Sequence, residues 1–242
     1  MPKPKKSEFL IPIEGNNVTM MSLKFFLLGC LIFLVPFYLI WPMNFPEFSI
    51  PNLVIGGLVL GGSMVIHEFL HGLGWVLMSD AKWKNLNFGV KQGGLVLFAH
   101  SSFPMKMSAN RFAMALPGVV QGILPALAGL IIGSTGLVIY GVVMIAGAGG
   151  DFTIILKSRD IPADKYIQDH PDDLGFELIH DPEIVEELRD QVREKTKDNN
   201  PIKYVGKGLL ATVVIGAMPL VGYLVGTLLG TLIGKILLLF GI

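Results

Sequence analysis

Charge is what this chain has least of. Only 16% of its 242 residues are Asp, Glu, Lys or Arg, against roughly 25% in an average soluble domain. Basic and acidic residues balance at 19 each, so the formal net charge is zero, and no excess of one sign draws the molecule to nucleic acid. Cysteine is scarcer still. Cys30 stands alone in an apolar run, which excludes an internal disulfide and a thiolate metal cluster. The few charges are also gathered together, since 22 of the 38 fall within Lys157–Lys207. What remains is 52% hydrophobic overall, with a mean hydropathy of +0.60. Such a balance rules out a disordered chain and does not fit an ordinary soluble domain. It is that of an all-α polytopic membrane protein.

About 20 apolar residues cross a bilayer. Phe25–Trp41 offers 17 uncharged residues with Pro36 as a kink, and no small-residue cleavage site follows it. Leu53–Met78 offers 26 residues with one charge, Glu68, and Phe112–Gly133 offers 22 with none. Leu137–Leu156 carries only Asp151, and Gly208–Gly234 is interrupted near Pro219, so it is one tilted helix or a broken pair. About five spans are expected. Lys3, Lys5, Lys6, Lys24, Lys82, Lys84, Lys91, Lys106 and Arg111 all fall on one side if the N-terminus is cytoplasmic, as the positive-inside rule requires. The plasma membrane of a prokaryote is the expected location.

Between Trp83 and Phe103, Leu86, Phe88 and Val90 alternate with Asn85, Asn87 and Gly89, and Gln92-Gly93-Gly94 supplies a turn before Leu95–Ala99. The pattern predicts a β-hairpin against the membrane face. Asp181-Pro182-Glu183 is a helix start, and Ile184, Leu188 and Val192 follow at helical spacing, predicting an amphipathic helix of about four turns. Asp169-His170-Pro171 with Asp172 and Asp173 reads as a solvated loop. Gln121, alone in an apolar run, reads as an interhelical hydrogen bond.

The residues that carry chemistry are His67-Glu68-Phe69-Leu70-His71. Residues four apart lie about 40° apart around a helix and one turn along it, so both imidazoles can hold one metal ion. Glu68 is then placed to take a proton from a water that the ion acidifies. His, Glu and His inside a span cost a few kcal/mol or more, so they call for a function. A catalytic zinc usually takes three protein ligands. Asp151 is the leading candidate for the third, because its span and that of His67–His71 run in the same direction. His71 and Asp151 then lie roughly 8–11 Å below the cytoplasmic interface. His100, on a hairpin that can fold back over the site, is the alternative.

These features, with Ala115-Leu116-Pro117-Gly118, Gly122-Ile123-Leu124-Pro125, Gly149-Gly150-Asp151 and Gln168-Asp169-His170-Pro171, resemble the zincin peptidases of unknown function, relatives of the site-2 intramembrane metalloproteases. The resemblance implies zinc held by His67, His71 and Asp151, with Glu68 as general base. In place of the Leu-Asp-Gly of site-2 proteases, Gly-Gly-Asp-Phe stands here. The apolar runs and the placement of charge divide the chain into a cytoplasmic segment 1–24, a metalloprotease-like core 25–156, a charged cytoplasmic segment 157–207 and a C-terminal membrane region 208–242. A membrane protein or peptide is the expected substrate, gripped by hairpin residues such as Leu86, Phe88, Leu95 and Leu97, with the lipid bilayer as the surroundings. The alternative is a non-catalytic metal-binding membrane protein, a scaffold or a transporter. The outer halves of the spans lack the polar path that transport needs.

Overall fold

A computed structural model of the protein describes residues 15–45, 49–91, 96–169 and 176–196. The expected span at Gly208–Gly234, the hairpin turn with Leu95, and His170–Gly175 lie outside these residues. Helix α1 (Gly15–Gly29) runs through a π-helical turn, Cys30–Leu34, into α2 (Val35–Ile40). The wide turn comes just before Pro36, which lacks an N–H and whose ring crowds the carbonyl four residues back. A second such turn, Gly118–Ile123, stands before Pro125 and links α4 (Met107–Pro117) to α5 (Leu124–Ile132). Helix α3 (Ile50–Met78) is capped by Ser49, whose side chain accepts from Asn52 N, with Pro51 in its first turn.

Three helical stretches are long and apolar enough to cross a membrane: Val18–Ile40, Ile50–Met78 and Met107–Ile132. The expected fourth run, Leu137–Leu156, is not one straight helix. It is α6 (Thr135–Gly147) and α7 (Gly149–Lys157), bent by 46° at Ala148. Gly149 lies against the Ser22 backbone of α1, where no side chain fits. Counting the bent pair as one, the described residues hold up to four spans. The chain is a membrane protein. Leu31, Tyr38, Ile55, Ile66, Leu77 and Ile131 are exposed along these helices, as an apolar solvent permits.

Helix packing follows the small residues. A Cβ on Gly74 would lie 2.6 Å from Ala113 Cα, one on Gly141 2.5 Å from Ala126 N, and one on Gly129 2.6 Å from Val138 N. Thus α3 packs on α4, and α5 on α6, at separations that only glycine allows. At one end of the bundle Gly133 adopts φ +75° to end α5. There Trp41 Nε1 donates to Leu130 O at 2.9 Å and Asn44 N to Thr135 Oγ1 at 3.1 Å.

The opposite end holds all the strands among the described residues. The predicted hairpin is β1 (Leu86–Lys91) paired antiparallel with β2 (Val96–Ser101), Phe88 opposite Ala99. A second sheet corrects the all-helical expectation. It joins β3 (Met105–Lys106), β4 (Tyr166–Asp169) and β5 (Phe176–Ile179) in antiparallel order. Asp169, expected in a solvated loop, ends β4 opposite Phe176. Runs of two to four residues show no readable period, and the partner of Ile167 is Met105, far away in sequence. Helix α8 (Pro182–Lys195) forms as predicted, with Asp181 accepting from Glu183 N at 2.9 Å. Its buried Val192 packs with Ala81 and Phe103. Arg111 of α4 ties this end to α7. Its guanidinium donates to the carbonyls of Ser158 and Ile161.

Gly74→Ala is expected to lower stability by about 1–3 kcal/mol, because the methyl group forces backbones apart. Gly56→Ala, on the same helix with nothing within 4 Å of its Cβ position, should be neutral or stabilising by up to about 1 kcal/mol. Unfolding midpoints of both variants in detergent check this, and equal midpoints would contradict the packing described.

Candidate metal centre

Ser63, His67, His71 and Trp75 recur every four residues on α3 and make one polar-aromatic stripe facing the bundle. Asp151 reaches the same place from the first turn of α7. His67 Nε2 lies 3.1 Å from Asp151 Oδ2, and His71 Nε2 lies 3.3 Å from Asp151 Oδ1. The imidazoles stand edge to face at 80°, their centroids 4.9 Å apart. One ligand atom from each of the three residues falls within 4.8 Å of the others.

The donor chemistry of this group fits a cation. His71 Nδ1 is 2.9 Å from the Ala113 carbonyl oxygen, which can only accept, so Nδ1 carries the hydrogen. A neutral His71 then presents the lone pair of Nε2 to a carboxylate oxygen, two acceptors face to face. A metal ion between them removes the conflict. Four donors at about 2.0–2.2 Å in a tetrahedron stand about 3.3 Å apart; His67 and His71 lie 3.1 and 3.3 Å from the two different oxygens of Asp151, and one donor atom from each residue falls within 4.8 Å of the others. Ala113 thus sets the tautomer and tilt of His71, as an outer partner does for a histidine that holds a metal. Trp75 lies against His71, ring centroids 6.1 Å apart, and its Nε1 donates to Asn110 Oδ1 at 3.2 Å.

Glu68 is half-buried beside the donors, and the backbone amide of Ala99 on β2 is hydrogen-bonded to its carboxylate. The hairpin comes this close because Gly72 leaves room. A Cβ there would sit 2.7 Å from Phe88 Cζ and 3.1 Å from Leu86 Cδ1. Leu86 and Leu97 are buried. With Phe88 they pack the hairpin inward, so they are not free to grip a substrate as expected; Leu95 lies outside the described residues. His100, the alternative third ligand, is turned elsewhere. Its Nδ1 meets Asp169 Oδ2 at 2.9 Å and its Nε2 meets Ser102 Oγ at 3.2 Å. Ser101 N and Gln168 Nε2 add bonds to Asp169 Oδ2 at 3.4 Å and to Ser102 O at 2.7 Å, clasping β2 to β4.

One turn beyond His67, Gln121 Nε2 donates to Ser63 O at 2.9 Å, the interhelical bond expected of it. Ser63 Oγ donates to Val59 O, leaving the Tyr140 hydroxyl to donate to Ser63 at 3.0 Å. Gln121 Oε1 is buried and has no partner among the described residues. Sequence reasoning missed the roles of Ala113, Asn110 and Tyr140. Only Trp75 had a signal, its four-residue step from His71. A backbone carbonyl such as Ala113 O has none.

Residues 60–166 match the model of a protein family described as putative zincin peptidase. The match takes in α3 from Leu60 onward, the hairpin, α4 to α7 and the first residue of β4. No curated protein and no solved structure matches the chain. The family match and the His, His, Asp donor set together support a metallopeptidase.

Purified protein should carry about one zinc per chain, and His67→Ala, His71→Ala and Asp151→Ala should each lose it, whereas His100→Ala keeps it. Elemental analysis of the folded variants measures this. Zinc kept in Asp151→Ala but lost in His100→Ala would reverse the choice of third ligand.

Proposed function

We propose that the protein is a zinc-dependent intramembrane endopeptidase that hydrolyses peptide bonds of membrane-associated substrates. The observation that carries this reading is a His, His, Asp donor set with an adjacent glutamate inside a bundle of membrane-length helices. His67, His71 and Asp151 would hold Zn²⁺, which when bound would supply Lewis acidity to a peptide carbonyl and to water. Glu68 takes a proton from the attacking water as its oxygen bonds to the carbonyl carbon. It then gives the proton to the departing amine nitrogen as the C–N bond breaks. The Ala113 carbonyl holds His71 in one tautomer throughout.

The hairpin supports the same reading. Ala99 and Ser101 both turn their N–H groups away from β1, towards Glu68 and Asp169 respectively. The outer edge of β2 therefore runs past Glu68. An extended peptide that takes over the Ala99 N–H from Glu68 would lie along that edge over the metal donors, held by its main chain and not by the packed side chains. A transmembrane helix must unwind locally to be read this way. A substrate N–H deeper in the bilayer is a matching donor for Gln121 Oε1.

Glu68→Gln should retain zinc and lose activity by about 100-fold or more, the usual scale for a positioned acid–base group. Loss of zinc in that variant would make Glu68 a ligand and overturn its role, and so would full activity.

The N-terminus, the hairpin and the charged segment are assigned to the cytoplasm. In a Cys30→Ala background, an impermeant thiol reagent on intact cells should label Ser49→Cys and spare Lys165→Cys. The opposite pattern would invert the protein. Labelling of both would break the common depth of His71 and Asp151.

A further inference from the structure

The two histidines of α3 are not held alike. His71 has its Nδ1 secured by Ala113 O at 2.9 Å. His67 turns Nε2 to Asp151, and no hydrogen bond reaches its Nδ1 among the described residues. Nε2 of a neutral ring offers a lone pair to a metal only while Nδ1 carries the hydrogen. Ligating histidines almost always donate that N–H to an outer acceptor, so His67 calls for one.

An acceptor without a donor stands one turn away. Gln121 is only 4% exposed, and its Oε1 is buried with no partner among the described residues. The amide cannot be reversed, because Ser63 O accepts only and Nε2 must face it, at 2.9 Å. Within α3 that same carbonyl takes the backbone N–H of His67, four residues on. Side chains on a helix lean towards its N-terminus, which lays the His67 ring over the turn of Ser63. The amide of Gln121 is therefore beside the ring. The two helical stretches also match step for step, since Ala113 and Gln121 are separated by as many residues as His71 and Ser63.

The surroundings hold Gln121 in this place. It lies in the π-helical turn Gly118–Ile123, a distortion that is frequent at functional sites. A Cβ on the next residue, Gly122, would lie 2.7 Å from Ile145 Cγ1, so α6 stands close and its Tyr140 hydroxyl meets Ser63 Oγ at 3.0 Å. A buried amide oxygen left unpaired lowers stability, so helix packing does not account for glutamine here. We propose that Gln121 is a positioning residue for His67. Its Nε2 pins the turn that carries the ring, and its Oε1 accepts from the ring Nδ1–H, directly or through one water. An amide oxygen has two lone pairs, which leaves one for a substrate N–H. The inference rests on the reading of His67, His71 and Asp151 as metal ligands.

Zinc affinity of the full chain in detergent, measured by competition with a chelating dye, tests this beside the unfolding midpoint of the metal-free form. Gln121→Met should bind zinc about 10–100-fold more weakly, the usual cost of losing an outer partner. It should unfold at the wild-type midpoint or above it, because Ser63 O keeps its bond within α3 and the unpaired oxygen is gone. Gln121→Glu keeps an oxygen beside the ring and should recover most of the lost affinity. Tyr140→Phe removes a bond to the same Ser63 without touching the acceptor, and should bind zinc as the wild type does. An amide that only ties helices together would give the reverse pattern, a lower midpoint with unchanged affinity in Gln121→Met. That result, or no recovery in Gln121→Glu, would overturn the role of Gln121 and leave the metal centre standing. Wild-type protein that binds no zinc would overturn both.

Discussion

At Gly74 the α3 backbone comes so near Ala113 of α4 that no methyl group fits between them, and three residues earlier His71 reaches the carbonyl of the same Ala113. The two contacts set the rotation of α3 against α4. That rotation turns the stripe of His67 and His71 away from lipid and towards α7. Arg111 then joins α4 to the carbonyls that follow α7. The helix of Asp151 is thereby fixed to the one that orients His71. A polar cluster survives in an apolar bundle because each member is held by a bond it would otherwise lack.

Glycine has two jobs in this chain. Along α3 to α6 it permits close helix contact, which in lipid replaces the hydrophobic drive that water would provide. At Gly72 it admits the hairpin instead, with Leu86 and Phe88 seated against the helix beside His71. The hairpin is held from above by the contacts of β2 with Asp169 and Gln168. Its outer edge consequently lies between the metal donors and β4.

The ends of the bundle differ in chemistry. One is closed by uncharged turns at Trp41–Asn44 and Gly133–Thr135. The other carries both sheets, α8 and the ion pairs of His100, Arg189 and Arg193.

The membrane helices, the hairpin, α8 and the triplet His67, Glu68, His71 were all legible in the amino-acid order. Each is expressed in local spacing: long apolar runs, alternation in twos, or a four-residue step on one helix face. The pairing of Asp151 with the histidines was reachable only by matching depth across two spans, and His100 stood as a rival on the same grounds. Tertiary structure separated them, because the clasp with Asp169 occupies His100 while α7 brings Asp151 to the rings. The strands β3 to β5, the bend at Ala148 and the role of Ala113 were beyond local reading. They arise from contacts between segments far apart in the chain, and a backbone carbonyl or a two-residue strand leaves no mark in the side-chain pattern. Local order thus determined which groups could do chemistry, and the packing of α3, α4 and α7 decided which of them meet.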